Sequence, residues 1–300
     1  MYQTAYHQTQ PTRVPLTWVP AFALLLGGVA ASLATGAVAQ YPCPDNDEYK
    51  CVHLVSAGDL QWASVSAPTG AKVARVIGAH EVVTWPSGAH LKQFLPRHVG
   101  WQGVVLSGTM SLTAQGKEPE RLRPLTYYST FRRQEVSAKC IGTAPCTFLS
   151  LSGAVDRLAA EKKDVVDVDR SGEYLHLVEV GEFRWKSVAR GIEAPGEDDD
   201  SRVTPARVFG LTITYYPVKY AKGSGLPFAD ATPTKATMPT IGFVLSGTLK
   251  IAVDGYTERS LGPGSYFQIP RKTSYSSGCE TAECIVMSSE PPPGQPDDRW

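Results

Sequence analysis

The segment Gly103-Val-Val-Leu-Ser-Gly-Thr-Met110 recurs 139 residues later as Gly242-Phe-Val-Leu-Ser-Gly-Thr-Leu249, and this repeat is the strongest indication of the fold. The same offset carries Cys140 onto Cys279. Three further blocks recur in the same order: His53-Leu-Val55 with His176-Leu-Val178, Trp62-Ala-Ser-Val65 with Trp185-Lys-Ser-Val188, and Ala74-Arg-Val-Ile-Gly78 with Ala206-Arg-Val-Phe-Gly210. Matches in a fixed order predict one duplicated unit, which runs over 48–152 and again over 173–288.

Both units consist of short strand-like runs between turn signals. Asp254-Gly255 follows a β-rich run and predicts a hairpin, because glycine tolerates a positive φ. Leu261-Gly-Pro-Gly264 is a second tight turn before the strand-like Tyr266-Phe-Gln-Ile269. A linker over 153–172 and a Pro-rich tail over 289–300 complete the chain. The pattern predicts an all-β fold of antiparallel sandwiches or barrels.

The N-terminus predicts export. Residues 1–39 contain a long apolar run that ends in Ala37-Val-Ala39, a small-x-small pattern typical of signal peptidase cleavage. An uncleaved membrane anchor is the alternative, since the run approaches the length of a spanning helix. In either case the remaining chain lies outside the cytoplasm, and we predict a periplasmic or secreted protein.

The cysteines agree with an oxidising compartment. Six cysteines form three close pairs in the sequence: Cys43 and Cys51, Cys140 and Cys146, Cys279 and Cys284. We expect three local disulfides, although six cysteines permit fifteen pairings. A zinc site is the weaker alternative, because none of the pairs has Cys-x-x-Cys spacing.

Composition excludes one class of partner. Lysine plus arginine equals aspartate plus glutamate at 29 each, so a field that attracts nucleic acid is not expected. A membrane partner is expected only if the N-terminal segment stays uncleaved. A homodimer and a small-molecule ligand are both compatible with the sequence.

The turn and strand residues of the second unit resemble a known motif. Gly264 and Pro270 fall on the Gly and Pro of the second cupin motif, and Tyr275 falls on its histidine. Counting back from Gly108 and Gly247 places Trp101 and Thr240 where the first motif has its glutamate. The chain thus resembles two-domain bicupins of the exported bacterial kind. This resemblance implies two tandem RmlC-like jelly-roll β-barrels.

The resemblance also implies which residues a metal would need. Cupin sites hold a divalent metal with about three histidines and a carboxylate. Here Leu95, Arg97, Val136 and Tyr275 stand at histidine positions, and the second unit has no histidine after His176. We therefore expect no metal, no cofactor and no catalytic residue.

A nonstandard metal site in the first unit is the runner-up hypothesis. Its candidate ligands are His80, His90, His98, Glu81 and Glu135, and it would make the chain a metal-dependent dioxygenase or isomerase. His80 and His90 are expected to be surface or turn residues, and the repeat-equivalent His53 and His176 are expected to be structural.

Without a metal, the second barrel is the predicted ligand pocket. Tyr275 and Thr240 should point inward, with Tyr266 and Gln268 on the preceding strand, and such a lining suits a sugar-like or organic-acid ligand. Trp101 is expected to fill the corresponding space of the first barrel. The alternative is that Tyr275 and Trp101 only fill the core.

Overall fold

The computed structural model describes residues 50–76, 80–95, 101–115, 117–130, 134–151, 175–189, 191–196, 206–208, 211–213, 215–225, 234–235 and 239–289. All of them lie in one compact unit, Val38–Trp300. The predicted targeting segment, the linker and nearly all of the tail lie outside the described residues. Among the described residues, no helix has both the length and the apolar character needed to cross a membrane.

The regular secondary structure of the described residues is almost entirely β-strand, which confirms the all-β prediction. Two single-turn 3-10 helices, Ala57–Asp59 and Val180–Glu182, are present as well. The strands of the first repeat are β1 His53–Val55, β2 Ala63–Ser64, β3 Lys72–Arg75, β4 Glu81–Trp85, β5 His90–Phe94, β6 Gln102–Ser107, β7 Thr109–Ala114, β8 Glu120–Leu122, β9 Thr126–Thr130, β10 Glu135–Ile141 and β11 Cys146–Ser150.

The second repeat has the same succession with an added hairpin. Its strands are β12 Leu175–Glu179, β13 Trp185–Ala189, β14 Ile192–Pro195, β15 Ala206–Val208, β16 Leu211–Ile213, β17 Tyr216–Ala221, β18 Thr234–Lys235, β19 Thr240–Ser246, β20 Leu249–Val253, β21 Arg259–Leu261, β22 Tyr266–Ile269, β23 Ser274–Cys279 and β24 Glu283–Ser288. Among the described strands, β15 and β16 form a two-stranded sheet of their own.

The remaining strands form two jelly rolls, each with one large and one small antiparallel sheet. Barrel 1 has a seven-stranded sheet in the order β12-β9-β6-β11-β4-β3-β2 and a four-stranded sheet in the order β5-β10-β7-β8. Barrel 2 has the orders β1-β22-β19-β24-β17-β14-β13 and β18-β23-β20-β21. This is the architecture that the repeat and the motif spacing predicted.

The two barrels exchange their first strands. Strand β1 of the first repeat pairs with β22 in barrel 2, and β12 of the second repeat pairs with β9 in barrel 1. The predicted domain boundaries, 48–152 and 173–288, follow the duplicated sequence. The sheets cross those boundaries, because the edge of each large sheet is completed by the other repeat.

Alternation along the strands builds three apolar cores. One fills barrel 1, one fills barrel 2, and the third lies between the two seven-stranded sheets. In β19, for example, Val244 faces the interior of barrel 2, whereas Phe243 and Leu245 face the third core. We call the third cluster the inter-barrel core. It joins both repeats into one packed unit.

The recurring Ser-Gly-Thr is the turn that carries the chain from the large sheet to the small sheet. Gly108 and Gly247 adopt φ values of 77° and 76°. A Cβ on Gly108 would lie 2.8 Å from Cys146 Cα, and one on Gly247 would lie 2.9 Å from Cys284 Cα. The turn therefore packs on the disulfide hairpin, which explains why this motif and the bridge recur together in both repeats.

Candidate functional site

Aromatic rings fill the interior of barrel 1. Trp101 stands 5.3 Å from Tyr128 and 5.9 Å from Phe148, measured between ring centroids. Trp85 lies 5.2 Å from Phe148 in an edge-to-face arrangement. All four side chains are buried in the same core. Trp101 is thus packed in the interior of barrel 1, at the sequence position where the cupin motif has its glutamate.

A glycine makes room for one buried aromatic ring in each barrel. Tyr128 pairs with Gly103 across the sheet, and Phe267 pairs with Gly242. A Cβ on Gly103 would lie 2.6 Å from the Tyr128 hydroxyl oxygen, and one on Gly242 would lie 2.5 Å from Phe267 Cε1. Each ring therefore covers its glycine directly, and the strand pair closes over the barrel interior. Burial also raises the pKa of the Tyr128 hydroxyl well above its usual value, with a smaller contribution from Tyr127.

The described motif positions of barrel 1 carry no metal ligands. Leu95 and Val136 are buried in the aromatic core of this barrel. Glu135 lies on the opposite face of β10, where its carboxylate forms an ion pair with Lys92 at 2.9 Å, and both side chains are more than half exposed. Glu135 points outward because it neighbours the inward-facing Val136, and successive residues of a strand face opposite sides of the sheet. Arg97 and His98 lie outside the described residues.

Two of the four residues predicted for a barrel 2 pocket face its interior. Tyr275 is buried in the core of barrel 2 beside Phe267. Thr240 is fully buried and lies on the same face of β19 as Gly242 and Val244. Their predicted inward direction is met, whereas a role in ligand binding stays a prediction.

The other two residues face away from that interior. Tyr266 belongs to the inter-barrel core. Gln268 is fully buried, and its Nε2 donates a hydrogen bond to the Cys51 carbonyl oxygen at 2.9 Å. Strand alternation places Phe267 and Ile269 inside, so the predicted set of four polar residues does not converge on one pocket.

The histidines of the described residues are dispersed. His80 is buried, so its expected surface position is wrong: its ring is hydrogen-bonded to the Tyr215 hydroxyl and stacks 5.7 Å from Phe243. Sequence position alone gave no sign of the inter-barrel core that encloses it. His90 is exposed, as expected. His53 lies on β1, 6.4 Å from the Tyr266 ring.

His176 lies on β12, where its backbone pairs with Ser129. In the part of the chain that the structure describes, no three His, Cys, Asp or Glu side chains lie close enough together to share a metal ion.

Two of the expected disulfides are present. Cys140 and Cys146 join β10 to β11, and Cys279 and Cys284 join β23 to β24, with Cα separations of 5.7 and 5.8 Å. Each bridge links the small sheet to the large sheet of its barrel. Cys51 is also disulfide-bonded, and Cys43 lies outside the described residues. These disulfides fit an oxidising extracellular environment.

Sequence reasoning missed a concave surface on the outside of barrel 1. A cavity of about 360 Å³ lies against the four-stranded sheet, and its lining includes His90, Ser111, Thr113, Ser137 and Lys139. The alternation of β7 and β10 marks these residues as outward-facing. The sequence gives no comparable signal for the concavity, which depends on how the strands and the loop around Pro119 meet.

Known proteins share this architecture. No family model matches the sequence, and no curated protein matches it significantly. Among solved structures, protein Ylba from E. coli has a TM-score of 0.53 and 12% identity, over 79% of this chain and 89% of that one. A protein described as glyoxylate-induced, from Pseudomonas aeruginosa, has a TM-score of 0.55 and 11% identity, over 79% and 86%.

A cupin 2 conserved barrel domain protein from Leptotrichia buccalis matches with a TM-score of 0.42 and 10% identity, over 75% and 90%. At these identities the likeness concerns the fold and not the activity. The solved structures therefore show the fold: the chain shares the two-barrel β architecture of Ylba and of the glyoxylate-induced protein.

Proposed function

We propose that this chain is an exported two-barrel cupin that serves as a binding or structural module and uses no metal. One observation carries the proposal: the chain's own side chains pack the interiors of both barrels. Where an enzyme of this fold needs a cavity, barrel 1 has Trp85, Trp101 and Phe148, and barrel 2 has Phe267 and Tyr275.

The described residues do not fit the metal centre that the fold implies. Three ligand positions are occupied by Leu95, Val136 and Tyr275, all of them buried within apolar cores. Leucine and valine have no donor atom, and a buried tyrosine hydroxyl is a poor ligand unless it is deprotonated. The nearest carboxylate in sequence, on Glu135, is paired with Lys92 outside the barrel.

Because the barrel interiors are filled, a ligand would have to bind on an outer surface. The sugar-like or organic-acid ligand that the sequence predicted for barrel 2 would need Tyr275, Thr240, Tyr266 and Gln268 on one face. Tyr275 and Thr240 face the barrel interior from the small and the large sheet, whereas Tyr266 and Gln268 lie on the outer face of the large sheet. The outer face of barrel 1 offers a polar concavity instead.

Export is supported by two independent features. The first is the small-x-small pattern that ends at Ala39, and the second is the pair of disulfides at equivalent positions of the two barrels. We place the mature protein in the periplasm or the extracellular medium. Mass spectrometry of the mature N-terminus tests this placement, because an intact N-terminal segment would instead support a membrane-anchored form.

Metal analysis tests the proposal against its rival, a metal-dependent dioxygenase or isomerase with a nonstandard site in barrel 1. Protein purified without chelators, from cells supplied with iron and manganese, should contain far less than one metal ion per chain. A His98→Ala variant should have the same metal content as the wild type. Stoichiometric iron or manganese that the His98→Ala variant loses would establish the rival.

A further inference from the structure

The outer face of the small sheet of barrel 1 has the dimensions of a ligand site. Its cavity of about 360 Å³ lies within the usual range for small-molecule sites, roughly 300–1,000 Å³. Three of its lining residues are hydroxyl-bearing: Ser111, Thr113 and Ser137. Lys139 and His90 supply nitrogen groups, and the lining contains no carboxylate.

Strand register brings these groups side by side. Lys139 on β10 lies directly opposite His90 on β5 and Ser111 on β7. Two residues along β10, Ser137 lies opposite Thr113. Side chains at opposite positions of an antiparallel pair have Cβ atoms about 5 Å apart, so the five groups form one patch. The His90 ring and the Ser137 hydroxyl share a hydrogen bond of 2.8 Å, which orders this end of the patch.

The charge of the patch is uncompensated. Lys139 forms no ion pair with any residue that the structure describes. By contrast, the neighbouring Lys92 is neutralised by Glu135 at 2.9 Å. An ammonium group beside several hydroxyls is suited to a carboxylate that also carries hydroxyl groups, because each partner then finds donors and acceptors in reach.

The equivalent face of barrel 2 lacks this arrangement, so the fold itself does not require it. The repeat offset of 139 residues places Lys250 at the position of Ser111, Ala252 at that of Thr113 and Gly278 at that of Lys139. The one cation at these three positions, Lys250, forms an ion pair with Glu258 at 2.7 Å. Ser276 keeps the hydroxyl of Ser137, but barrel 2 does not repeat Ser111, Thr113 or Lys139.

From this geometry we infer that the outer face of barrel 1 binds a small hydroxylated carboxylate, such as an acidic sugar or a hydroxy acid. The inference rests on the proposed function in one respect: a binding module with filled barrels needs its ligand site on an outer surface. Lys139 contacts the carboxylate, and Ser111, Thr113 and Ser137 contact the hydroxyls.

Titration of the full mature protein with galacturonate tests the inference, with galactose as the uncharged counterpart. Galacturonate should give saturable chemical-shift changes at residues of β5, β7 and β10, and galactose should bind at least about tenfold more weakly. Lys139→Gln should weaken galacturonate binding about fivefold to tenfold, since it removes the ammonium group that would face the carboxylate.

The matched control is Lys250→Gln, which removes an exposed lysine from the equivalent sheet of barrel 2 and should leave the affinity unchanged. Equal losses in both variants would show nonspecific attraction to charge and overturn the inference. So would unaltered binding by Lys139→Gln, or equal binding of galactose and galacturonate. Metal content measured on the same samples tests the proposed function separately, so that either can fail without the other.

Discussion

Replacing Gly242 by alanine tests whether an aromatic ring really closes over barrel 2. A Cβ at this position would lie 2.5 Å from Phe267 Cε1 and closer still to Cζ, well inside the usual contact distance of about 3.5–4.0 Å. The ring must move by about 1 Å or more, yet it is fully buried among close-packed neighbours. We expect Gly242→Ala to reduce the free energy of unfolding by about 2–3 kcal/mol.

A double-mutant cycle identifies the cause of that loss. Phe267→Ala alone should cost about 3–5 kcal/mol, because it leaves a cavity in the core. Adding Gly242→Ala to it should cost much less than in the wild type, with a coupling energy of about 1.5 kcal/mol or more. Gly181→Ala is the control, because nothing lies within 4 Å of the added Cβ, and it should change stability by less than about 0.5 kcal/mol.

Chemical denaturation followed by tryptophan fluorescence supplies the free energies of unfolding of the wild type and the four variants. A Gly242→Ala variant as stable as the Gly181→Ala variant would refute the reasoning, because the ring could not then cover the glycine. Strictly additive losses in the cycle would refute it as well.

Three further predictions concern the cores, the bridges and the exchanged strands. Tyr128→Phe should be neutral or stabilising by up to about 1 kcal/mol, because no described residue hydrogen-bonds the buried hydroxyl. Burial raises the Tyr128 pKa, so the wild type should also lose stability as the pH rises above about 10, and the variant should lose less. Replacing both Cys279 and Cys284 by alanine should cost about 2 kcal/mol in thermal or chemical unfolding, and thiol titration of the denatured, unreduced wild type should find no free cysteine. Cutting the chain at a protease site engineered within 153–172 should leave the halves associated on size exclusion under native conditions, because β1 and β12 each complete the other barrel; two freely separating halves would contradict the strand exchange.

Duplication made the fold predictable from sequence. The blocks around Gly108 and Gly247 recur because each forms the same positive-φ turn against a disulfide hairpin, so the sequence match has a direct structural cause. Motif spacing likewise gave the inward direction of Val136 and Tyr275, since alternation along a strand preserves facing once one residue is placed.

Motif spacing did not predict what packs against the outer face of each large sheet, the face that points away from its own barrel interior. Tyr266, Gln268 and His80 are buried because two large sheets pack together, and periodicity alone does not distinguish such a face from a barrel interior. The exchange of β1 and β12 is invisible for the same reason, because a sequence repeat records the duplicated unit and not the sheet that its first strand joins.

We infer that side chains of the protein, rather than a metal and its ligands, fill both barrels. Crystals grown with excess manganese and measured at an energy where manganese scatters anomalously test it most directly. We expect side-chain density for Trp101 and Phe148 in barrel 1 and for Phe267 and Tyr275 in barrel 2, with no anomalous peak in either interior. An anomalous peak inside a barrel, with three nitrogen or oxygen donors of the chain at about 2.0–2.2 Å, would contradict it.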